Sequence, residues 1–249
     1  MSNFYYVLHG QKKPFDPETA IVYEDNHVLV VRKPPGLLSQ GDQSKDPDLL
    51  SIYMQWIKMR DHKPGQVWLA PVHRLDRMVG GLILLAKTSK AAARLNAEMR
   101  SQRILKRYLA VLRGALEEPH GELIHYLSSE TQNGRYQIMR GPEEGRYANL
   151  SYRCLAYRHE EDLSLVLITL KTGRPHQIRL QFAAEGHPLL HDRRYGEKDT
   201  ADPLALAPAL FACQLGVKHP TRELCLNLMV LPEGLPDFEL FCTAECGLL

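Results

Sequence analysis

Apolar positions along the chain recur mostly at strand-like spacing. The runs Ala20–Tyr23 and His27–Arg32 are β-rich, and the polar stretch Glu24-Asp25-Asn26 between them suits a turn. Pro34-Pro35-Gly36 ends the second run. Residues 81–87 read as a buried strand, 106–114 as a strand closed by Gly114, and 210–217 and 223–230 as the last strands. Residues 149–157 and 163–171 pair naturally as antiparallel strands around "RHEED". Helical spacing is confined to a few places. In residues 48–60, Leu49, Ile52, Tyr53, Trp56 and Ile57 share a face, with Asp46 before Pro47 as the expected cap. In residues 90–102 the inner stripe is Ala92, Leu95 and Met99, capped by Thr88 or Ser89. "TGRPHQIRLQFAAEGHP" reads as a third helix, with Pro175 in its first turn and Gly186 and Pro188 ending it. Residues 67–70 are short and extended, 130–145 form a polar hairpin or loop, and the tail ends in a short surface helix. Strands dominate and several are hairpin-connected. The predicted class is α+β, a mixed, largely antiparallel central sheet with a few flanking helices. Residues 1–19 read as an N-terminal extension and 20–249 as one domain.

Composition is that of an ordinary globular protein, with 249 residues, 44% hydrophobic and 24% charged. Nothing along it is long and apolar enough to span a membrane, and the first residues lack the pattern of a signal peptide. Five scattered cysteines fit a reduced, cytoplasmic protein. Cys242 and Cys246 are a lone pair, short of a zinc ligand set, and Pro188 interrupts the spacing of His187 and His191, so no metal is expected. Net charge is only +2. The distribution says more: Lys87, Lys90, Arg94, Arg100, Arg103, Lys106 and Arg107 follow one another with only Glu98 opposing them. Such a strip can hold phosphates at one face, although the same pattern also describes a solvated helix surface.

Candidate chemistry centres on "VHRLDRMVGG", where His73, Arg74 and Asp76 precede a buried strand. Loops feeding buried strands commonly carry functional residues. A carboxylate that works in a site closed to water must stay ionised, and a nearby guanidinium opposes the upward pull of desolvation. Arg179 on the third helix is a candidate for that charge. A purely structural Asp–Arg pair would produce the same pattern.

The chain resembles the RluA-like family of RNA pseudouridine synthases. The resemblance rests on ordered blocks: "YEDNHVLVVRKPPGL", "HRLD" with its following glycines and apolar strand, "KRYLAVLRG", "TGRPHQIRLQFAAEGHPLLHDRRYG" and "LFACQLGVKHPTRE". It implies an enzyme that isomerises uridine in ribosomal or transfer RNA without a cofactor. RNA is the implied partner, with no DNA, no membrane and no obligate protein partner. It implies Asp76 as catalytic carboxylate, Tyr108 as the ring packed against the base, and Arg179 as the ionic partner of Asp76. It implies His73 and Arg74 around the flipped nucleotide and Leu180 as an apolar contact to the base. Arg174 at a helix start is a further phosphate candidate, and Arg100 and Arg103 carry the basic strip.

The residue types suit the reaction. The uridine must leave its stack, at an expense of roughly a few kcal/mol, and stacking on an aromatic ring offsets part of that. A carboxylate both attacks and stabilises an oxocarbenium-like centre. Tyr108 as a base would need help, since a free tyrosine titrates near about 10. Departures from the family pattern are Met78-Val79-Gly80-Gly81 after the aspartate, Gln181 in place of a frequent histidine, His191 before Asp192 in place of a glycine, and Arg32 before Lys33 where asparagine is common. Residues 1–19 leave no room for the extra N-terminal RNA-binding domain of many relatives, so the basic strip is expected to find the RNA. Two rivals remain at this point: an RNA-binding module of the same fold that has lost catalysis, and a small-molecule hydrolase using Asp76 and His73.

Overall fold

The computed structural model describes residues 4–196 and 207–241. Cys242, Cys246 and the end of the tail lie outside the described residues. In chain order the elements are β1 (Phe4–Leu8), β2 (Gln11–Phe15), β3 (Ile21–Glu24), β4 (Val28–Lys33), α1 (Leu49–Arg60), β5 (Ala70–Pro71), β6 (Gly80–Ala86), α2 (Ser89–Arg100) and β7 (Leu105–Arg113). They continue with β8 (His120–Leu127), β9 (Ile138–Met139), β10 (Arg146–Arg158), β11 (Leu163–Leu170), α3 (Gln177–Ala184), β12 (Leu210–Lys218), β13 (Cys225–Met229) and α4 (Pro236–Glu239). The class is α+β, as expected, with a mixed, mostly antiparallel sheet. The chain divides into two compact units, residues 1–105 with 214–230, and residues 106–213 with 231–249.

In the first unit, β3, β4 and β6 run antiparallel in that order, β12 lies next to β6, and β13 pairs with β12. Both faces of the β4–β6 pair are buried. Leu29, Val31, Ile83 and Leu85 point to a cluster with Leu49, Tyr53 and Ile57 of α1. Val28, Val30, Leu82 and Leu84 point to another with Ala91 and Leu95 of α2. Alternation across these strands therefore puts apolar residues on both faces, which is why residues 28–31 and 82–86 read as unbroken hydrophobic runs.

In the second unit the strand order is β7-β11-β10-β8-β9, with β7–β11, β11–β10, β10–β8 and β8–β9 antiparallel. The β10–β11 pairing agrees with the sequence reading and carries an irregularity between Cys154 and Ala156. α3 packs over β8 and β9, where Leu180 joins Leu127 and Ala148, with Tyr136, Ile138 and Tyr195 around them.

Three local expectations are corrected. The cap of α1 is Asp48, whose side chain accepts from the Ser51 N–H, and not Asp46. The inner face of α2 is centred on Ala91 and Leu95, with Ala92 and Met99 only partly buried. Pro175 is not in the first turn of α3. That helix begins at Gln177, after His176 in the left-handed conformation (φ 53°). Gln177 closes the entry itself: its Oε1 accepts from the Thr172 hydroxyl at 2.8 Å and the Arg174 N–H at 3.0 Å.

Candidate active site

In the first unit, β5 delivers the chain to residues 72–79, which carry Asp76 and return as β6. The segment is fixed at several points. The Val72 N–H donates to the Leu84 carbonyl at 2.9 Å, and the Leu84 N–H donates to Nε2 of His73 at 3.1 Å. That bond makes His73 Nε2 an acceptor and spends it on holding the loop against β6. Ser39 brackets Leu75, its Oγ donating to the Leu75 carbonyl at 2.8 Å and accepting from the Leu75 N–H at 3.1 Å. The Asp76 carbonyl accepts from the Val79 N–H at 3.0 Å, closing a turn.

On the other side stands Lys33, fully buried at the end of β4. Its Nζ donates to the carbonyls of Pro34 (3.2 Å), Leu37 (2.7 Å) and Arg77 (2.9 Å). An ammonium has three N–H donors, and three acceptors meet it. Burial pushes its pKa down to about 7; the Asp76 carboxylate pulls the other way and Arg77 adds to the depression. Asp76 therefore lies within electrostatic reach of Lys33 from its own unit. Arg77 extends the lattice: Nε donates to the Gly36 carbonyl at 3.1 Å, and Nη2 donates to the Val7 carbonyl at 3.0 Å and to Asp46 at 2.6 Å. Gly36 is required there. Its φ is +92°, and a Cβ would lie 2.6 Å from Leu8 Cδ1.

Arg74 is exposed, as are Arg100 at the end of α2 and Arg103 just beyond it. The basic strip is less open than its sequence implies. Arg103 grips Glu98 through two hydrogen bonds (2.9 and 2.7 Å), Lys87 pairs with Glu24 at 2.6 Å, and Arg94 donates to the Pro220 carbonyl at 2.6 Å. Lys106 is buried in β7 and leaves the strip altogether.

In the second unit, β7 carries Tyr108, 6% exposed, and α3 carries Arg179 and Leu180, each 8% exposed. Arg179 makes a bidentate bond to Asp192, Nε to Oδ2 at 2.7 Å and Nη2 to Oδ1 at 2.8 Å. Asp192 is only 2% exposed and also accepts from the N–H groups of Arg194 (3.0 Å) and Tyr195 (3.2 Å). Burial alone would raise its pKa, but the Arg179 hydrogen bonds and charge, with the two backbone donors, outweigh it and hold the carboxyl below its usual range. Tyr195 lies beside this pair, its ring centroid 5.3 Å from the guanidinium carbon. Its hydroxyl accepts from the Tyr136 N–H at 3.1 Å and is hydrogen-bonded to Nδ1 of His176 at 2.8 Å. Arg174 is set against β10, Nε donating to the Tyr147 carbonyl at 2.9 Å.

The structure thus groups His73 with the Asp76 segment, and Arg174 and Leu180 with Arg179 around α3. Sequence reasoning did not assign roles to Lys33, Ser39, Arg77, Asp192, Tyr195 or His176. For Asp192 and Tyr195 the signal was present, since "HDRRYG" follows the helix closely. Nothing in the pattern around Ser39 points to Leu75, because that contact joins residues 36 positions apart.

Comparison with known proteins agrees with this architecture. Among solved structures, human RNA pseudouridylate synthase domain containing 4 superposes with a TM-score of 0.72, covering 88% of this chain and 91% of its own at 21% identity, a likeness of fold. Human RNA pseudouridylate synthase domain containing 1 gives 0.69 at 26% identity, covering 90% of this chain and 88% of its own. Both belong to the pseudouridine synthase class of folds. Residues 27–184 match the RNA pseudouridylate synthase family. The dual-specificity RNA pseudouridine synthase RluA of Pasteurella multocida (strain Pm70) is 36% identical over 229 residues, 91% of this chain and 99% of that relative. The protein of the same description from Haemophilus influenzae is 34% identical over 208 residues, covering 83% and 90%. The chain belongs to the RNA pseudouridylate synthase family and is an isomerase of that class. The comparisons do not favour the reading in which catalysis has been lost. No helix among the described residues is long and apolar enough to cross a membrane.

Proposed function

We propose that the protein converts specific uridines of structured ribosomal or transfer RNA to pseudouridine, with Asp76 as the catalytic carboxylate and no cofactor. Its medium is the cytoplasm, and its partner in the reaction is the RNA alone. The observation that carries the reading is the Asp76 segment itself. It falls inside the family match and is pinned on both sides, at Leu75 by Ser39 and at Arg77 by Lys33. Rigid support of this kind is what a reacting group requires.

The reaction breaks N1–C1′, turns the uracil and forms C5–C1′. C5 loses a proton and N1 gains one, so the product is an isomer of the substrate. Asp76 acts at the ribose, either on C1′ or on the hydrogen of its neighbouring C2′, and both routes need the carboxylate ionised. Arg179, oriented by Asp192, supplies the positive charge that an ionised carboxylate in a water-poor site requires. Tyr108 offers its ring to the extruded base, and Leu180 an apolar contact. His73, Arg74 and Arg174 flank the nucleotide, and Arg100 and Arg103 meet the RNA backbone.

The test is a pseudouridine map by carbodiimide labelling of RNA from a strain lacking the protein, incubated with pure enzyme. New marks are expected with wild type and none with Asp76→Asn, a loss of at least about 10³-fold in turnover. Marks that persist in Asp76→Asn would remove the assignment. RNA binding with no marks at all would restore the binding-module reading.

A further inference from the structure

Lys106 is a buried cation that the mechanism above does not use. It is 8% exposed, on β7, two residues before Tyr108. Alternation along the strand puts both side chains on one face, about 7 Å apart along the chain. Burial pushes its pKa down, and no carboxylate among the described residues holds it up. Its ammonium reaches over Gly173: a Cβ on that residue would lie 3.3 Å from Nζ, tighter than ordinary contact. Gly173 opens the loop that leads through Arg174 and His176 into α3 and Arg179. A lysine is among the side chains least often buried without a partner, and a buried charge without one is unfavourable. Lys33 shows how this fold treats a structural lysine, with three carbonyls around one ammonium. Among the described residues no such cage surrounds Lys106.

We propose that Lys106 is a substrate-binding residue whose ammonium receives an anionic oxygen of the RNA, beside the base held by Tyr108. This rests on the functional reading given above. Two oxygens of the substrate have the right chemistry, a phosphodiester oxygen flanking the target and a carbonyl oxygen of the uracil, which becomes negatively charged when N1–C1′ breaks. Gly173 is the residue whose lack of a side chain admits the ammonium to that position.

The experiment compares wild type, Lys106→Met, Lys106→Arg and Gly173→Ala, each full length, on an RNA hairpin carrying the mapped uridine. Thermal midpoint, affinity at several salt concentrations and single-turnover rate are measured. Lys106→Met removes a buried charge without leaving a hole, so its thermal midpoint is expected to equal or exceed that of wild type. If the ligand is a phosphate, affinity drops about tenfold and the slope of log K against log salt shrinks by about 0.7 to 0.9. If the ligand is the uracil, affinity and slope hold while the single-turnover rate drops at least about tenfold. Lys106→Arg keeps part of either effect, and Gly173→Ala falls between wild type and Lys106→Met. Affinity, slope and rate all within about twofold of wild type for Lys106→Met overturn the proposal, as does a lowered midpoint with function intact. Should wild type itself leave the RNA unmodified, the functional reading fails. The binding arm then still decides the role of Lys106, with unchanged affinity and slope counting against it.

Discussion

Asp76 and Asp192 are both loop aspartates next to arginine-bearing segments, and the two loops differ in where their visible anchors fall. Asp192 is held through its carboxylate, which takes two bonds from Arg179 and two from backbone N–H groups. The Asp76 loop is held through its neighbours, by Ser39 at Leu75 and by Lys33 at the Arg77 carbonyl. A carboxylate saturated with donors is a structural part.

Substitutions sharpen the contrast. The largest loss of stability is expected for Asp192→Asn, which removes the buried carboxylate that takes two hydrogen bonds from Arg179. A broken buried pair is worth about 3–5 kcal/mol, and thermal melting should show it. A variant melting like wild type would mean that Asp192 is not the anchor described. Lys33→Met is next. It strips the donor from three carbonyls and should cost about 2–4 kcal/mol, with turnover falling together with stability. Full activity in that variant would show that the Asp76 segment does not depend on it. Ser39→Ala loses two bonds to Leu75 and should cost about 1–2 kcal/mol. Because both hydrogen bonds of Ser39 Oγ go to Leu75, the rate should fall while RNA affinity stays within about twofold.

Acid titration gives a smaller and differently shaped signal. The carboxyl of Asp192 is depressed in the folded state, so its stabilisation is complete above the ordinary aspartate value near about 3.9 and fades as pH falls through the folded value. Wild type should therefore lose stability below about pH 4 more steeply than Asp192→Asn does. Equal slopes would contradict the assigned shift. Smallest of all is the effect of Arg103→Ala on folding, within about 0.5 kcal/mol, since its pair with Glu98 is exposed. Its effect on RNA binding, measured with Arg100→Ala, decides whether this end of α2 meets phosphate; an unchanged salt slope would remove that role.

The central strands of the first unit were legible because both faces are buried, so that each reads as a continuous apolar run. The strand β8 was not. Its outward-facing Ile124 is 53% exposed while His125 faces partly inward, so polarity and burial run against each other there. The hairpin of β1 and β2 was hidden too. His9 and Gly10 both have positive φ (51° and 74°), as a two-residue reversal between paired strands requires, but His-Gly is not the usual turn signature. Lys12, Lys13 and Pro14 in β2 disguise the second strand further. For the site, the motif residues could be named from resemblance. What steadies them comes from distant stretches of chain, and local pattern carries no trace of such pairings.

The bond from Arg77 to the Val7 carbonyl joins the first hairpin to the residue following Asp76. The opening residues are thus wired to the Asp76 segment rather than trailing behind it. An affinity tag, a fusion partner or a protease acting on residues 4–8 would disturb one of the anchors of Arg77, and purification handles are better placed elsewhere.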